Sequence, residues 1–428
     1  MVYDFPEMTV SASHLMIGGE DALELAKTFG TPLYAVNESV LRANMRGFTR
    51  SLAAYSGKSK VYYASKALSV KAVLHIAAEE GLGADVVSSG ELLTALAGGM
   101  PKEDIMYHGN NKTTDELILA LEKRIGHIVV DRKEDVERLI VLSKQYGFCP
   151  KLLFRIVPGI DAHTHAYIKT GQFDSKFGLP IEEALPLMQY AFQNGLPVTG
   201  LHCHIGSQIF DFIPFQDAAA LMLSFLKKAQ TQIDPSIDEL DLGGGFGIRY
   251  TDEDTPIPAS LFTEKTIETV ITTCQHLAMP LPTLFFEPGR AIAATAGSTL
   301  YTVGGTKTTK TGKTYVFVDG GMSDNPRHAL YGAQYEAVIA DRADAPCDKT
   351  VTVAGKLCES GDVIAEAIPL QDAKEGDILV TFSTGAYCFS MASHYNRLPG
   401  AAMVLVGQNA PRLIVRRETP EEMHRLDL

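Results

Sequence analysis

The sequence predicts a (β/α)₈ barrel joined to a domain built from β-strands. Between residues 61 and 286, short apolar runs alternate with helix-period segments, which is the pattern of a parallel α/β fold. Eight such runs are present, the number that closes a barrel. After Arg290 the alternation stops, and short strands separated by polar and glycine-rich turns take over.

The elements follow in chain order. A short amphipathic helix begins at Ala22, a strand over 33–36 could belong to either domain, and a helix lies around 38–55. The predicted barrel strands are 61–65, 84–87, 105–108, 127–130, 152–157, 198–205, 239–242 and 283–286. The predicted helices between them are 69–80, 90–97, 114–123, 134–146, 182–193, 214–230 and 262–277. The later strands are 295–305, 313–319, 350–353, 377–382, 402–406 and 412–415.

We therefore expect a barrel domain over 37–290 and a β domain formed by 1–36 and 291–428. An open, doubly wound sheet is the alternative, and it predicts a single ligand crevice. Chemically capable residues instead follow most of the predicted strands: Lys66, Asp85 with Ser88, His108, Asp131, Arg155, His204, the glycines at 243–245, and Glu287. This distribution favours a closed barrel, where sites lie at the carboxyl ends of the strands. For Asp131 an ordinary cap or ion pair is preferred, and His108 remains undecided.

Composition excludes several classes of function. The net charge is −13 and the sequence has no basic run, which argues against nucleic acid and anionic membranes as partners. The first residues show neither the basic nor the apolar region of a signal peptide, so we expect none, and no apolar run reaches transmembrane length. The six cysteines (149, 203, 274, 347, 358 and 388) are scattered without C-x-x-C or zinc spacing. We expect a cytoplasmic protein without a metal site.

Lys66 ends the first barrel strand, in the stretch Val61-Tyr-Tyr-Ala-Ser-Lys66. A lysine in this position points into the mouth of an α/β fold, where a desolvated amine can condense with a carbonyl group. This stretch alone favours a surface lysine at a strand end. The remaining motifs favour the first interpretation, since they suit a phosphorylated aldehyde cofactor.

The glycine run Gly243-Gly244-Gly245-Phe-Gly247 follows a predicted strand. It lacks the third glycine of a dinucleotide fingerprint, because Ile248 occupies that place, and no Walker lysine follows. Its free backbone N–H groups can surround a single phosphate. A plain βα turn needs one or two glycines rather than four.

His202 and His204 lie two residues apart on a predicted strand and so face the same way. A metal pair is conceivable, but the sequence has no carboxylate or third ligand nearby. We expect His204 to lie flat against an aromatic cofactor and Ser207 to donate to its phosphate. His202 is then a residue of the core or one that supports a site residue from behind.

Glu287-Pro-Gly289-Arg290 ends the eighth predicted strand. A surface ion pair would explain the two charges but not the rigid Pro-Gly between them. An acid here could keep a pyridine nitrogen protonated, which makes the ring an electron sink. Arg290 could then clamp a carboxylate bidentately. Farther along, Cys358 lies in Cys-Glu-Ser-Gly-Asp362, where a cysteine is usually just a small packed residue.

Taken together, these motifs resemble the fold-type-III pyridoxal-phosphate-dependent decarboxylases, and within them the branch that acts on diaminopimelate. The resemblance covers almost the whole chain, and the order and spacing of its motifs are highly specific. The matching segments are Tyr63-Ala-Ser-Lys66-Ala, Asp85-Val-Val-Ser-Ser-Gly-Glu-Leu, His108-Gly-Asn-Asn-Lys, Thr170-Gly with Ser175-Lys-Phe-Gly178, His202-Cys-His-Ile-Gly-Ser-Gln208, Glu287-Pro-Gly-Arg290, Cys358-Glu-Ser-Gly-Asp362, and Gly385-Ala-Tyr387 leading to Tyr395-Asn396.

The resemblance implies a role for each site residue. Lys66 would carry pyridoxal 5'-phosphate as a Schiff base, and Cys358 would donate a proton from the partner subunit of a homodimer. Further cofactor contacts are implied for Asp85, His204, Ser207, Gly244, Gly245, Glu287, Gly289, Arg290 and Tyr387. Substrate contacts are implied for Arg290, Arg327, Tyr331, Glu359 and Tyr387.

The implied substrate has an amino-acid head at each end. Ornithine-type relatives bind a bare distal amine and carry Cys-Asp with a further Asp, whereas this chain has Cys358-Glu-Ser. A decarboxylase of the same fold for another amino acid (ornithine, lysine, another polyamine precursor or a carrier-bound amino acid) would share every cofactor residue. A non-catalytic cofactor-binding barrel would lack the β domain, and a racemase-like enzyme would place a base, not Glu287, against the ring nitrogen. Lys356 replaces a proline that is frequent in the family.

Overall fold

The computed structural model describes residues 4–160 and 176–428, so Thr170-Gly171 and Ser175 of the family pattern lie outside the described residues. The chain divides into two compact units. We call the first the β unit; it comprises Met1–Asn44, Ile248–Thr255 and Ile292–Leu428. The second, the barrel unit, comprises Met45–Gly247 and Pro256–Ala291.

The first elements of the chain are short strands and two helices. They are β1 Met8–Ser11, β2 His14–Ile17, β3 Glu20–Asp21, α1 Ala22–Phe29, β4 Leu33–Asn37 and α2 Glu38–Leu52. Strands β1, β2 and β3 form a small antiparallel sheet that the sequence pattern did not predict. Helix α1 begins where predicted, because the Asp21 side chain accepts a hydrogen bond from the Leu23 amide and caps the helix.

The barrel strands are β5 Ser59–Ala64, β6 Gly83–Val86, β7 Ile105–Tyr107, β8 His127–Val130, β9 Lys151–Arg155, β10 Val198–His202, β11 Glu239–Asp241 and β12 Thr283–Phe286. The helices are α3 Lys71–Glu79, α4 Ser89–Ala97, α5 Thr114–Lys123, α6 Lys133–Tyr146, α7 Ile181–Gln193, α8 Ile213–Gln232 and α9 Ala259–His276. All eight strands pair in parallel, and β12 pairs with β5 to close the barrel. The closed barrel is confirmed, and the open-sheet alternative is excluded.

Six of the eight barrel strands end earlier than predicted, and β9 and β10 do so by more than one residue. Strand β10 ends at His202 rather than at residue 205, and β9 ends at Arg155 rather than at 157. Beyond His202 the backbone still bonds to the next strand, since the Cys203 amide donates to the Asp241 carbonyl at 2.9 Å. The barrel interior is closed by side chains that pack together from five strands: Tyr62, Met106, Val129, Leu153 and Phe285.

The rest of the chain belongs mostly to the β unit. Its elements are α10 Arg290–Ala293, β13 Gly297–Thr308, β14 Thr314–Val318, α11 Arg327–Tyr331, β15 Ala337–Ile339, β16 Lys349–Ala354, β17 Val363–Leu370, β18 Ile378–Thr381, β19 Ala402–Val406 and β20 Arg412–Val415. Short 3₁₀ turns lie at Ser65–Ala67, Lys102–Asp104, Ala294–Ala296, Ala340–Arg342, Phe389–Met391, Tyr395–Arg397 and Pro420–His424.

A nine-stranded sheet organises the β unit, in the order β17-β16-β14-β13-β4-β19-β20 with β18 beside β13 and β15 beside β18. Strand β4 pairs with both β13 and β19, which settles its place in this unit. Strand β17 was not predicted from the sequence; it contains Pro369 and lies at the sheet edge, where a missing N–H is tolerated. Among the described helices, none combines the length and apolar character that a membrane crossing requires.

A cluster of charged groups surrounds the buried Glu239 at the amino-terminal ends of the barrel strands. Glu239 accepts hydrogen bonds from Thr199 Oγ1 at 2.5 Å and Lys151 Nζ at 2.7 Å, and His127 Nε2 lies 3.1 Å from its Oε2. Burial by itself raises the pKa of Glu239, but these partners outweigh it and lower the pKa to about 2. Charged groups at this end of a barrel contribute to stability rather than to chemistry.

We expect Glu239→Gln to lower the free energy of unfolding by about 2–3 kcal/mol at pH 7. Because the folded pKa is depressed, this stabilisation is fully present above the ordinary value of 4.5 and is lost as the pH falls toward 2. Urea unfolding of both proteins between pH 7 and pH 4 measures the difference. Glu122→Gln, on an exposed face of α5, is the control. A difference that does not shrink below about pH 4.5 would contradict the assignment.

Candidate active site

Lys66 lies in the 3₁₀ turn that directly follows strand β5. Its Nζ is 3.6 Å from Oδ2 of Asp85, which lies on the neighbouring strand β6 and pairs with Ala64 of β5. The Lys66 side chain is 46% exposed, whereas that of Asp85 is 1% exposed. The lysine amine is therefore accessible at the barrel mouth, with a buried carboxylate beside it. Burial raises the pKa of Asp85, against the opposing charges of His108 and Lys66.

Glu287 follows strand β12 and is buried between two histidines. Its Oε1 lies 2.7 Å from His108 Nε2, and its Oε2 lies 3.3 Å from His202 Nε2. The two imidazole rings meet edge to face, with centroids 5.0 Å apart. Three strands that are far apart in sequence thus deliver one carboxylate and two histidines to the same place.

The histidines determine the ionisation of Glu287. Burial by itself raises the pKa of Glu287, but His108 and His202 outweigh burial and hold that pKa well below its usual range. Burial lowers the pKa of His202 to about 4. For the neighbouring Asp241, burial and then the charge of Glu287 raise the pKa well above its usual range. Of these two adjacent acids, Glu287 is therefore the one that carries the negative charge.

The glycine run forms a tight turn whose close approaches leave no room for side chains. The Gly243 amide donates to Asp241 Oδ1 at 2.8 Å, and the Gly244 amide donates to His204 Nδ1 at 3.2 Å. A Cβ on Gly244 would lie 2.2 Å from the carbonyl oxygen of Glu287. Gly245 has φ +113°, a conformation that disfavours any other residue. Glycine is therefore required at 244 by the close approach and at 245 by the backbone conformation.

His204 lies two residues past the end of β10 rather than within it. Because Nδ1 accepts the hydrogen bond from Gly244, the ring proton is on Nε2. Burial, and then the charge of Lys66, lower the pKa of His204 well below its usual range. The imidazole is therefore neutral and available to lie against an uncharged or cationic ring.

Ser207 and Arg290 meet at the same end of the barrel, although 83 positions separate them in sequence. Arg290 is buried, and its Nη2 donates to Ser207 Oγ at 2.9 Å. Gly289 packs against the end of β5, where an added Cβ would lie 3.0 Å from Ala64 Cβ. A hydroxyl, a guanidinium and glycine N–H groups are the donors that bind phosphate and carboxylate oxygens.

Other predicted site residues belong to the β unit. Cys358 and Glu359 are exposed on the loop between β16 and β17, and the Cys358 amide donates to Asn396 Oδ1 at 2.9 Å. Tyr387 has φ +63°, an unusual conformation for a residue other than glycine.

Arg327 is the first residue of helix α11 and is buried, and Tyr331 ends that helix. The Arg327 guanidinium donates to the Tyr335 hydroxyl at 2.6 Å and lies 4.9 Å from the centre of the Tyr250 ring. These contacts hold the guanidinium in a fixed orientation.

The structure corrects one interpretation of the sequence. His202 does have a carboxylate and a third candidate ligand nearby, because ligand atoms of His108, His202 and Glu287 lie within 4.8 Å of one another. Both histidines contact Glu287, so His202 supports a site residue, and His108, which the sequence left undecided, does the same. The position of His108 at a strand end was the signal, but the sequence could not show which acid it would meet. Asp131 is buried 3.8 Å from Arg155 Nε, as the ion-pair interpretation expected.

The residues at the barrel mouth fit a phosphorylated pyridine aldehyde. Lys66 supplies an amine for the aldehyde, and Glu287 supplies a buried anion for the ring nitrogen. The close-packed glycines at 244 and 245 supply a surface without side chains for the phosphate. Each of these groups lies at the carboxyl end of a different strand of the closed barrel.

Comparison with known proteins agrees with this arrangement. Residues 39–294 match the family model described as the pyridoxal binding domain of pyridoxal-dependent decarboxylases. Fold and site thus define a pyridoxal-phosphate-dependent decarboxylase built on a (β/α)₈ barrel.

Over its whole length the chain is 47% identical to the diaminopimelate decarboxylase of Bacillus subtilis, covering 97% of this chain and 95% of that one. The corresponding Synechocystis enzyme is 43% identical, with 96% and 90% covered. The structure of the M. jannaschii diaminopimelate decarboxylase with L-lysine is 33% identical, covers 99% of this chain and 98% of that chain, and superposes with a TM-score of 0.90. The chain belongs to the diaminopimelate decarboxylase family.

We expect His108→Gln to weaken binding of pyridoxal 5'-phosphate by about tenfold, because Glu287 loses a charge-assisted partner in a buried site. Titrating the cofactor-free protein with pyridoxal 5'-phosphate and following its absorbance gives the dissociation constant. His75→Gln, on the exposed face of α3, is the matched control and should bind as the native protein does. Equal affinity of the His108 variant and the control would show that this contact does not support the cofactor.

Proposed function

We propose that the chain decarboxylates meso-2,6-diaminopimelate to L-lysine and CO₂, the last step of lysine biosynthesis, with pyridoxal 5'-phosphate as its cofactor. The observation that carries this proposal is the 47% identity to a diaminopimelate decarboxylase across both units of the chain. In the reaction one carboxylate leaves as CO₂, and a proton takes its place on the same carbon. We propose that the protein acts in the cytoplasm, the compartment that the cysteine pattern predicts.

The residues at the barrel mouth would hold the cofactor. When bound, pyridoxal 5'-phosphate supplies an electron sink for the pair of electrons that the departing CO₂ leaves behind. Lys66 would hold the aldehyde end, with Asp85 as its buried counter-charge. Glu287, kept ionised by its two histidines, would hold a proton on the ring nitrogen. Neutral His204 would lie against the ring face.

The phosphate would be held by groups that converge on the glycine turn. Ser207 and Arg290 already share a hydrogen bond of 2.9 Å, and the phosphate would accept from both. The backbone at 244, 245 and 289 would add N–H donors, and Tyr387 would add its hydroxyl. Arg290 also has the charge to bind a substrate carboxylate, so it would contribute to both sites.

Recognition of the second amino-acid head would need one cation and one anion. Arg327 and Tyr331 would bind its carboxylate, and Glu359 would bind its ammonium group. The Tyr335 hydroxyl and the Tyr250 ring support this role, because they fix the Arg327 guanidinium in a buried position. A substrate with a bare distal amine would leave the arginine without an anionic partner.

Cys358 would donate the proton that replaces CO₂, and it would do so in the active site of the partner subunit of a homodimer. Its exposed position on a loop of the β unit supports this role. In this proposal a barrel domain over 37–290 binds the cofactor, while residues 1–36 and 291–428 complete the active site and the dimer interface. The Cys358 thiol would point its proton at the carbon that has lost CO₂.

A panel of amino acids scored for CO₂ release tests the substrate. We expect meso-diaminopimelate to react with a kcat/KM at least about 100-fold above that of ornithine or lysine, because a buried cation left without its carboxylate costs about 3 kcal/mol. In Arg327→Ala this preference should shrink about tenfold or more through KM, with the cofactor absorbance intact. A native preference for ornithine or lysine would contradict the proposed substrate and favour the alternative decarboxylase.

Subunit mixing tests the shared active site. We expect Lys66→Ala and Cys358→Ala to be nearly inactive alone. After subunit exchange, random assortment makes half the dimers mixed, and each mixed dimer has one intact site of two. About a quarter of the native activity should therefore return.

The control is the same mixture without exchange, which should stay inactive. If Cys358 served the lysine of its own chain, every site would keep one lesion and no activity would return. An inactive mixture with verified exchange would therefore contradict donation from the partner subunit.

A further inference from the structure

Asp362 is a buried acid at the end of the loop that carries Cys358. Its side chain is almost fully enclosed, with 4% of the residue exposed. Oδ1 accepts a hydrogen bond from the Met322 amide at 2.6 Å, and Oδ2 accepts one from the Leu357 amide at 2.8 Å. No basic side chain in the described part of the chain lies within ion-pair distance of it, so two backbone N–H groups stabilise the carboxylate.

The space around this carboxylate exists because two glycines face it. A Cβ on Gly321 would lie 2.4 Å from Asp362 Oδ1, and a Cβ on Gly355 would lie 2.3 Å from Oδ2. The same Cβ on Gly355 would lie 2.5 Å from the Cα of Gly321. The two backbones therefore approach each other closely, and the carboxylate fills the place that side chains would take. Glutamate would be too long for this space.

The two backbone segments carry different parts of the proposed site. The segment 319–326 follows β14 and leads into α11, whose first residue is Arg327. The segment 355–362 connects β16 to β17 and carries Cys358 and Glu359. A direct hydrogen bond also joins them, from the Lys356 amide to the Gly320 carbonyl at 3.1 Å.

We propose that Asp362 is a positioning residue that holds the Arg327 segment and the Cys358 segment in one arrangement. It contacts neither substrate nor cofactor in this proposal; it acts through the Met322 and Leu357 amides. Binding of the distal head by Arg327 and placement of the proton donor would then depend on one carboxylate. The inference rests on the proposed function only for the roles of Arg327 and Cys358, since the link between the segments is a property of the fold.

Asp362→Asn is the test, because an amide keeps the shape of the side chain but can accept from only one of the two N–H groups. Its NH₂ group would face the other donor at 2.6 or 2.8 Å, an unfavourable contact that should break the link, so that neither segment any longer restrains the other. Hydrogen exchange followed by mass spectrometry should show faster exchange in peptides from both 319–327 and 355–362. The control is Asp372→Asn, an exposed partner of Lys349, which should change neither.

Kinetics give the second readout. In Asp362→Asn we expect kcat/KM for diaminopimelate to fall about 10- to 100-fold, with kcat lowered and KM raised together, while cofactor absorbance and affinity stay native. A residue with a merely structural role would instead lower the melting temperature without this paired change. Should Asp362→Asn not fold, Gly321→Ala displaces the same carboxylate and should give the same two-segment pattern.

The outcomes separate this inference from the proposed function. Faster exchange in both segments supports the link even if the native protein releases no CO₂ from diaminopimelate, which would overturn only the proposed substrate. Exchange that changes in one segment alone, or in neither, overturns the positioning role. Native kinetics in a variant with faster exchange in both segments would also overturn it, because the link would then have no effect on the reaction.

Discussion

The barrel mouth depends on how buried negative charge is stabilised. Asp85 and Asp241 lie near the carboxyl ends of β6 and β11, Glu287 directly follows β12, and all three are buried. An isolated carboxylate in such a place is strongly disfavoured, so each one needs a partner or a proton. Histidines at 108 and 202 keep Glu287 ionised, whereas burial beside that charge favours the protonated form of Asp241. Of these two acids, Glu287 is therefore the anion at this end of the barrel.

Strand order turns this electrostatic arrangement into a site. The strands β11, β12, β5 and β6 are consecutive around the barrel. Their carboxyl ends therefore place four side chains next to one another: Asp241, Glu287, Lys66 and Asp85. Parallel pairing brings all of these ends to the same side of the barrel. The same end of the barrel needs glycines at 243–245, because any side chain there would collide with backbone or with His204. Charge and close packing thus impose constraints on the same few turns.

In the β unit, the sheet and buried polar contacts hold the segments that carry the proposed substrate and proton-donor residues. Its central strand β13 pairs with β4, β14 and β18, so the sheet joins segments from both ends of the chain. In this unit the first residue of α11 is Arg327, the loop between β16 and β17 carries Cys358, and buried polar contacts help to hold both segments. Tyr335 restrains the arginine, while Asp362 restrains the backbone on both sides. Loops need such contacts because few buried apolar groups anchor them.

The sequence by itself determined the alternation that makes a barrel, the strand ends that carry Lys66, Asp85 and Glu287, and the family to which the chain belongs. These features are local, since periodicity and motif order are written in neighbouring residues. Only the tertiary structure decided that His108 and His202 meet Glu287, that β4 joins the β sheet, and that Asp362 links two loops. Each of these contacts joins residues remote in sequence, and their partners follow from barrel closure and sheet order rather than from any local pattern.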